Sequence, residues 1–348
     1  MTALTFSPER RTQLGKGIVR WVVAIGGAIV IFGAFMAFKG ANPVDAYRSM
    51  WTSLGSERSV ESVLVKSVPL ILAALAVTVP AKAGLVNVGG EGQLIMGGVG
   101  AVAASHIIGT GLPGQSALVV LCIAGAVGGA LWAALAVVLR ILVGINEAVT
   151  TLLLNYVALN LMYALIGQAW KDPSAAGQLV SRELPASERF SLLGSTTVHA
   201  GLILAIVATA LVWWTLRSTR WGFQLRVVGG NPEAARRAGL KVGMVLLSAM
   251  VVGGALAGLG GVAQLAGTEF RLRQGFLVNY GYIGFLASWL ARHNPIKVAL
   301  AAVLLAAISV TGDSLQIDSA LPAATVNILM ALVLLAAFGW GAKRRIAA

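Results

Sequence analysis

Charge is what this sequence has least of. Only 11% of its 348 residues are charged, whereas a soluble domain carries about a quarter, so an ordinary water-facing surface is excluded. Cysteine is reduced to Cys122, which lies inside an apolar run and therefore rules out an intramolecular disulfide or a thiolate metal cluster. The histidines, His106, His199 and His293, stand far apart and lack the i, i+4 spacing of a helical metal site. No G-x-x-x-x-G-K-[ST] loop occurs, because Gly15 and Lys16 lack the upstream glycine, and ATP is not expected to bind here in that way. Paired carboxylates and Ser/His/Asp sets are also missing, so neither catalysis nor a resident metal or cofactor is expected.

What the chain has instead is apolar length. Hydrophobic residues make up 57% of it and fall in blocks of roughly 20, enough to cross a hydrocarbon core of about 30 Å as helix. The expectation is an all-α polytopic membrane protein, one domain over residues 1–348, with about ten spans. Their places are 17–38, 62–80, 93–108, 117–139, 148–170, 198–216, 242–267, 280–290, 296–310 and 322–340. Arg10, Arg11, Lys16 and Arg20 gather before and at the start of the first, but its apolar run is too long for a signal peptide core and reads as an uncleaved span. The third and eighth are short and adjoin Gly-rich or Asn/Tyr-rich stretches. Discontinuous helices are expected there, since irregular backbone survives at membrane depth only where protein or water covers it.

The net charge of +13 does not point to nucleic acid. Basic residues are scattered through the short connections, as beside membrane helices, and form no patch with interleaved aromatics. Roughly twice as many Lys and Arg fall in connections on the side of the N-terminus as on the other, which predicts that both termini are cytoplasmic. Two connections are long. Residues 171–197 should lie outside the cell as a cap, and residues 217–241 inside it.

Within the inner connection, TRWGFQLRVVGGNPEAARRAGL (219–240) predicts a short helix outside the bilayer. Asn231 is its N-cap, Pro232 and Glu233 its first turn, and Gly239 its stop. Gly230, Ala234 and Ala235 allow close approach of another backbone, while Arg236 offers charge to an acidic partner or to membrane lipid headgroups. KAGLVNVGGEGQ (82–93) is too rich in glycine for a helix interior. Glu91 and Gln93 are costly near a bilayer, so Asn87, Gly89, Gly90, Glu91, Gly92 and Gln93 are read as bracing a broken helix at a gate. In NYVALNLMYALIGQAWKDP (155–173), Asn155, Tyr156, Asn160 and Tyr163 are expected to share one helix face, a polar aromatic stripe along a cavity or helix contact. In NYGYIGFLASWLARHNP (279–295), Asn279 opens the short eighth span, and Trp289 is either a pathway residue or an interfacial anchor.

These segments resemble one family. GF-x-LR-x-VG-x-NP-x-AAR-x-AG is similar to the coupling loop of permeases in bacterial ATP-binding-cassette importers, in the branch serving sugars, nucleosides and branched-chain amino acids. AG-x-x-N-x-G-x-EGQ resembles a second signature of that family, and the 279–295 segment a third, although Phe285, Ser288 and Trp289 depart from it. The resemblance implies a type II importer permease with inverted halves in the inner membrane. It also implies cytoplasmic ATPase partners that carry ATP and Mg and grip residues 230–239, a second permease copy or paralogue, and an extracytoplasmic solute-binding lipoprotein. The Trp170–Pro173 ending is similar to that of nucleoside permeases, so the expected solute is a nucleoside, with a simple sugar as the alternative. An ion-coupled secondary transporter is the rival reading, with Glu91 as its one candidate coupling acid.

Overall fold

In the computed structural model, residues 23, 26–108, 112, 115–175, 177–319, 325–333 and 335 are described. The first and tenth expected spans lie partly outside them, as do the basic residues near both ends. Among the described residues the chain is helical, with no β-strand and only isolated bridges such as Lys171 with Ser181 and Val180 with Arg273. The helices are α1 (Gly26–Phe38), α2 (Pro43–Leu54), α3 (Glu57–Lys82), α4 (Gly90–Ile108), α5 (Gln115–Val143), α6 (Glu147–Gly167), α7 (Gly201–Ser218), α8 (Arg220–Gly230), α9 (Pro232–Arg237), α10 (Val242–Gln264), α11 (Tyr280–Leu290) and α12 (Pro295–Ser319). Residues 325–333 are helical as well.

Six of these helices are long and apolar enough to cross a membrane, or seven if α1 and α2, bent by 118°, form one span. Ten were expected. α4 opens on polar residues, and α11 has 11 residues, about 16 Å of helix and short of a crossing. α2 was not foreseen: its mixed composition hides it, but Asn42 caps it by accepting from the Val44 N–H at 3.0 Å, and Pro43 follows at N1,.

The chain divides into two compact units, residues 61–306 and residues 1–60 with 307–348. In the smaller unit Phe32, Met36, Ala46, Leu315 and Leu329 form the core. In the larger, the apolar window of α3 is 78% buried and those of α5 and α7 only 28%, so α3 is central and the other two are peripheral. Leu131, Leu135, Ile206 and Leu211 point outward from α5 and α7; an apolar outer wall of this kind is what lipid requires.

Inside, α4, α5 and α10 pack backbone to backbone. A Cβ built on Gly97 would lie 2.3 Å from the Gly258 carbonyl oxygen, and one on Gly258 would lie 2.1 Å from the Gly125 oxygen. Small residues at such crossings replace the hydrophobic drive that helices lack in lipid with close van der Waals contact.

Candidate functional site

After α3 the chain turns at Gly84 (φ +80°) and runs without helical structure to Gly89. Buried backbone N–H groups there need partners, and α6 supplies them. Glu147 Oε1 accepts the Val86 N–H at 3.0 Å, Thr151 Oγ1 the Val88 N–H at 3.2 Å, and Asn155 Oδ1 the Gly92 N–H at 2.8 Å. Asn155 Nδ2 also donates to the Val88 carbonyl at 3.0 Å. The three side chains are four residues apart and so share one face of α6. Glu147 also forms an ion pair with Arg140. Neither Glu147 nor Thr151 was picked out from the sequence, yet the E-x-x-x-T-x-x-x-N spacing beside a glycine-rich break carried the signal.

Asn87 and Gln93 bond to each other twice. Asn87 Nδ2 donates to Gln93 Oε1 at 3.0 Å, and Gln93 Nε2 donates to Asn87 Oδ1 at 2.9 Å. Asn87 also accepts the Gly89 N–H and donates to the Ala76 carbonyl. Both residues are fully buried, and the paired amides tie the start of α4 to α3.

The interruption is shorter than its composition suggests. α4 begins at Gly90, so Gly90, Glu91 and Gly92 are helical. The helix tolerates these glycines because other backbones press on them: a Cβ on Gly90 would meet Gly281 Cα at 3.3 Å, and one on Gly92 would meet Asn155 Cα at 3.0 Å. Glu91 then reaches across to the start of α11. Its Oε1 accepts the Asn279 N–H at 2.6 Å and its Oε2 the Gly281 N–H at 2.7 Å. Those N–H groups have no partner within their own helix, and the N-terminal dipoles of both α4 and α11 favour a carboxylate. Asn279 holds a left-handed φ of +69°. Tyr282 Oη accepts from Asn155 Nδ2 at 3.3 Å, so α4, α6 and α11 meet at one point. The two interruptions that the sequence sets far apart are thus one hydrogen-bonded junction.

At the other end of α11, Ser288 Oγ lies 2.8 Å from Thr78 Oγ1 and 2.9 Å from His293 Nδ1. Trp289 is partly exposed and meets the His293 ring edge-on at 4.9 Å. In the connection, Arg292 and His293 have φ of 51° and 54°. Burial and the nearby Lys82 charge push the His293 imidazole down to about 4.

The expected polar stripe on α6 divides. Asn155 is buried, while Tyr156 is 60% exposed and Asn160 is exposed, its Nδ2 donating back to the Tyr156 carbonyl. At about 100° per residue, Tyr156 and Asn160 lie 100° and 140° round the helix from Asn155. Tyr163, half-buried, sits on their side. Asn155 therefore belongs to the junction, and the other three lie round the helix on a neighbouring, more exposed face.

α8 and α9 are the two short helices between α7 and α10. Thr219 caps α8 by accepting the Gly222 N–H at 3.1 Å. Asn231 ends α8 and caps α9, accepting the Ala234 N–H at 3.0 Å. Gly239 (φ +82°) donates to the Arg236 carbonyl and Leu240 to that of Ala235, the bond pair of a Schellman stop. Glu233 pairs with Arg236 at 3.0 Å and Arg237 at 3.3 Å. Ala235 is buried, and the other side chains from Asn231 to Arg237 are exposed. Arg226 donates to the Leu216 carbonyl at the end of α7. Gly229, near the end of α8, lies against the turn after α3, where a Cβ on it would come 2.3 Å from the Lys82 oxygen. Backbone contact therefore runs from α8 to the turn at Gly84, and the chain continues from there to the Glu91 junction.

Residues 59–338 match the family model described as the permease component of branched-chain amino acid transport systems. The chain belongs to this permease family. It is 36% identical to a glucose ABC transporter permease protein of Haloferax volcanii, over 95% of this chain and 90% of that one. It is 28% identical to a guanosine ABC transporter permease protein of Bacillus subtilis, over 90% and 91%. A nucleoside ABC transporter permease protein of Lactococcus lactis is 30% identical, over 90% and 88%. The permease is accordingly a multi-pass membrane subunit of an ABC transporter. Subunits of this kind work with ATPase and binding-protein partners, and ATP is hydrolysed in the ATPase.

Proposed function

We propose that the permease imports a sugar-bearing solute, a nucleoside in the first instance, across the cytoplasmic membrane. Both termini and the α8–α9 element face the cytoplasm in this reading, and residues 171–197 face outward. A second permease copy or paralogue completes the pathway. α9, through Gly230, Asn231, Pro232, Glu233, Ala234, Ala235, Arg236 and Gly239, is the docking element for the ATPase, which alone carries ATP and Mg.

The observation that carries the coupling part is the backbone contact of Gly229 with Lys82. Movement of the docked α9 is passed through α8 to the turn at Gly84, then to Asn87, Gly89 and Glu91. Because Glu91 holds the N-terminus of α11, that movement reaches both broken helices together. In this reading the junction is held in one state of the cycle and released in the other, the two-state element that alternating access needs.

The nucleoside reading draws support from relatives whose names specify guanosine and nucleosides. A simple sugar is the second reading, favoured by the 36% identity to a glucose permease. The test is uptake of labelled uridine, guanosine and glucose by cells with and without the gene. Loss of nucleoside uptake alone on deletion supports the first reading, loss of glucose uptake alone supports the second, and loss of neither contradicts both.

A further inference from the structure

A cavity of about 630 Å³ opens in the larger unit between α3, the 192–197 segment and the stretch from Gln264 to Tyr280. That volume falls within the range of about 300–1,000 Å³ found for small-molecule sites. Lys66 of α3, Gln264 at the end of α10, and Glu269 and Arg273 beyond it line the cavity, with the rings of Phe270 and Tyr280. None of these was expected from the sequence to touch solute.

The backbone around the cavity is unusual. α10 passes into a π-helical turn, Leu265–Glu269, a geometry that recurs at functional sites. Phe270 and Leu277 both line the cavity and hold left-handed φ of 57° and 55°; strain of this kind in non-glycine residues collects where ligands bind. Lys66 places an ionisable group near the start of a membrane helix, and such a residue marks a functional position by default.

The donors and acceptors select the ligand's chemistry. Glu269, paired with Arg273, only accepts hydrogen bonds, Lys66 and Arg273 only donate, and the Gln264 amide does both. An anion would meet Glu269, and a cation would meet Lys66 and Arg273. A hydroxyl group donates and accepts at once, so a ring carrying several hydroxyls answers all four side chains. Gln264 is buried, and the hydrogen bond that its Nε2 donates to Glu269 Oε1 is long at 3.4 Å, so it is readily exchanged for a stronger one to solute. Phe270, one face of which is covered by the Arg189 guanidinium at 4.3 Å, and Tyr280 add aromatic surface to the lining for the apolar side of a sugar or for a base,.

We infer that this cavity is a recognition site of the permease that reads the hydroxyls of a sugar ring, whether the ribose of a nucleoside or a free hexose. The inference rests on the sugar-bearing solute proposed above and gives that solute a place and a set of partners.

The test uses the full permease, assembled with its ATPase in proteoliposomes. Thr268, exposed on the cavity wall, is changed to cysteine in a Cys122→Ala background and labelled with a membrane-impermeant maleimide. Millimolar uridine or glucose should slow labelling several-fold, and the solute that does so identifies the source of the ring. Adding Gln264→Leu or Glu269→Gln should raise the protecting concentration about tenfold, the equivalent of one hydrogen bond. If the vesicles, given binding protein and ATP, take up uridine or glucose while neither solute protects the Thr268→Cys thiol and neither further substitution alters uptake, the site is wrong. If they take up neither solute, the sugar-bearing reading falls, and this inference with it.

Discussion

Glu91 and Gly281 are joined twice. The Glu91 carboxylate accepts the Gly281 N–H at 2.7 Å, and the two backbones lie so close that a Cβ on Gly281 would come 2.0 Å from the Glu91 nitrogen. One relationship is polar and the other steric, so they respond to different substitutions. Glu91→Gln keeps the shape but sets an NH₂ group against one of two N–H donors. Glu91→Ala leaves both Asn279 and Gly281 N–H groups without their acceptor, at about 1–3 kcal/mol each. Both variants should insert, melt at lower temperature in detergent and lose most ATP-driven uptake, with Ala the more severe. Wild-type uptake by Glu91→Ala would remove the junction from the transport cycle.

Gly258 tests the packing alone. Its substitution by Ala forces a methyl to within 2.1 Å of the Gly125 oxygen, and overpacking typically costs about 1–3 kcal/mol. The expected outcome is a lower melting temperature and reduced yield of folded permease, by fluorescence-detected size exclusion. Gly230→Ala, where nothing lies within 4 Å of the added Cβ, should leave both unchanged.

His199 and His293 set a pH dependence. Burial pushes His199, which precedes α7 and stacks beside Phe190, down to about 4, and His293 is held at a similar value. Unfolded histidine titrates near 6.5, so below that pH the unfolded chain binds more protons. Stability conferred by the neutral rings is fully present above about 6.5 and is lost as pH falls from there towards 4. Thermal melts of the purified permease between pH 7.5 and 5 should show this decline, and His199→Gln should flatten it.

Much of the α8–α9 segment was legible in the sequence, because caps and stops are local chemistry. Asn231, Pro232 and Gly239 specify where α9 starts and ends without reference to the rest of the chain. The junction was only half legible. Glycines and buried polar residues announced a break near Asn87 and another near Asn279, but their meeting is long-range and leaves no periodic signal. The face of α6 went wrong for a related reason: Asn155, Tyr156 and Asn160 are all polar or aromatic, and composition does not say that Asn155 turns inward to serve the backbone of Gly92. The cavity beside Gln264 was invisible, since a π turn and left-handed Phe270 follow from packing and not from residue type.

The central claim is that energy enters through α9 and is passed to the junction. Charge reversal by Glu233→Lys with Arg236→Glu keeps an ion pair within the helix while reversing what the helix presents outward. The most direct measurement is solute uptake and solute-stimulated ATPase activity of the assembled importer in proteoliposomes, for wild type and this double variant. The account predicts uptake that requires ATP in the wild type, and loss of both activities in a variant that still inserts and folds. Uptake that persists without ATP, or at wild-type rate in the double variant, would contradict it.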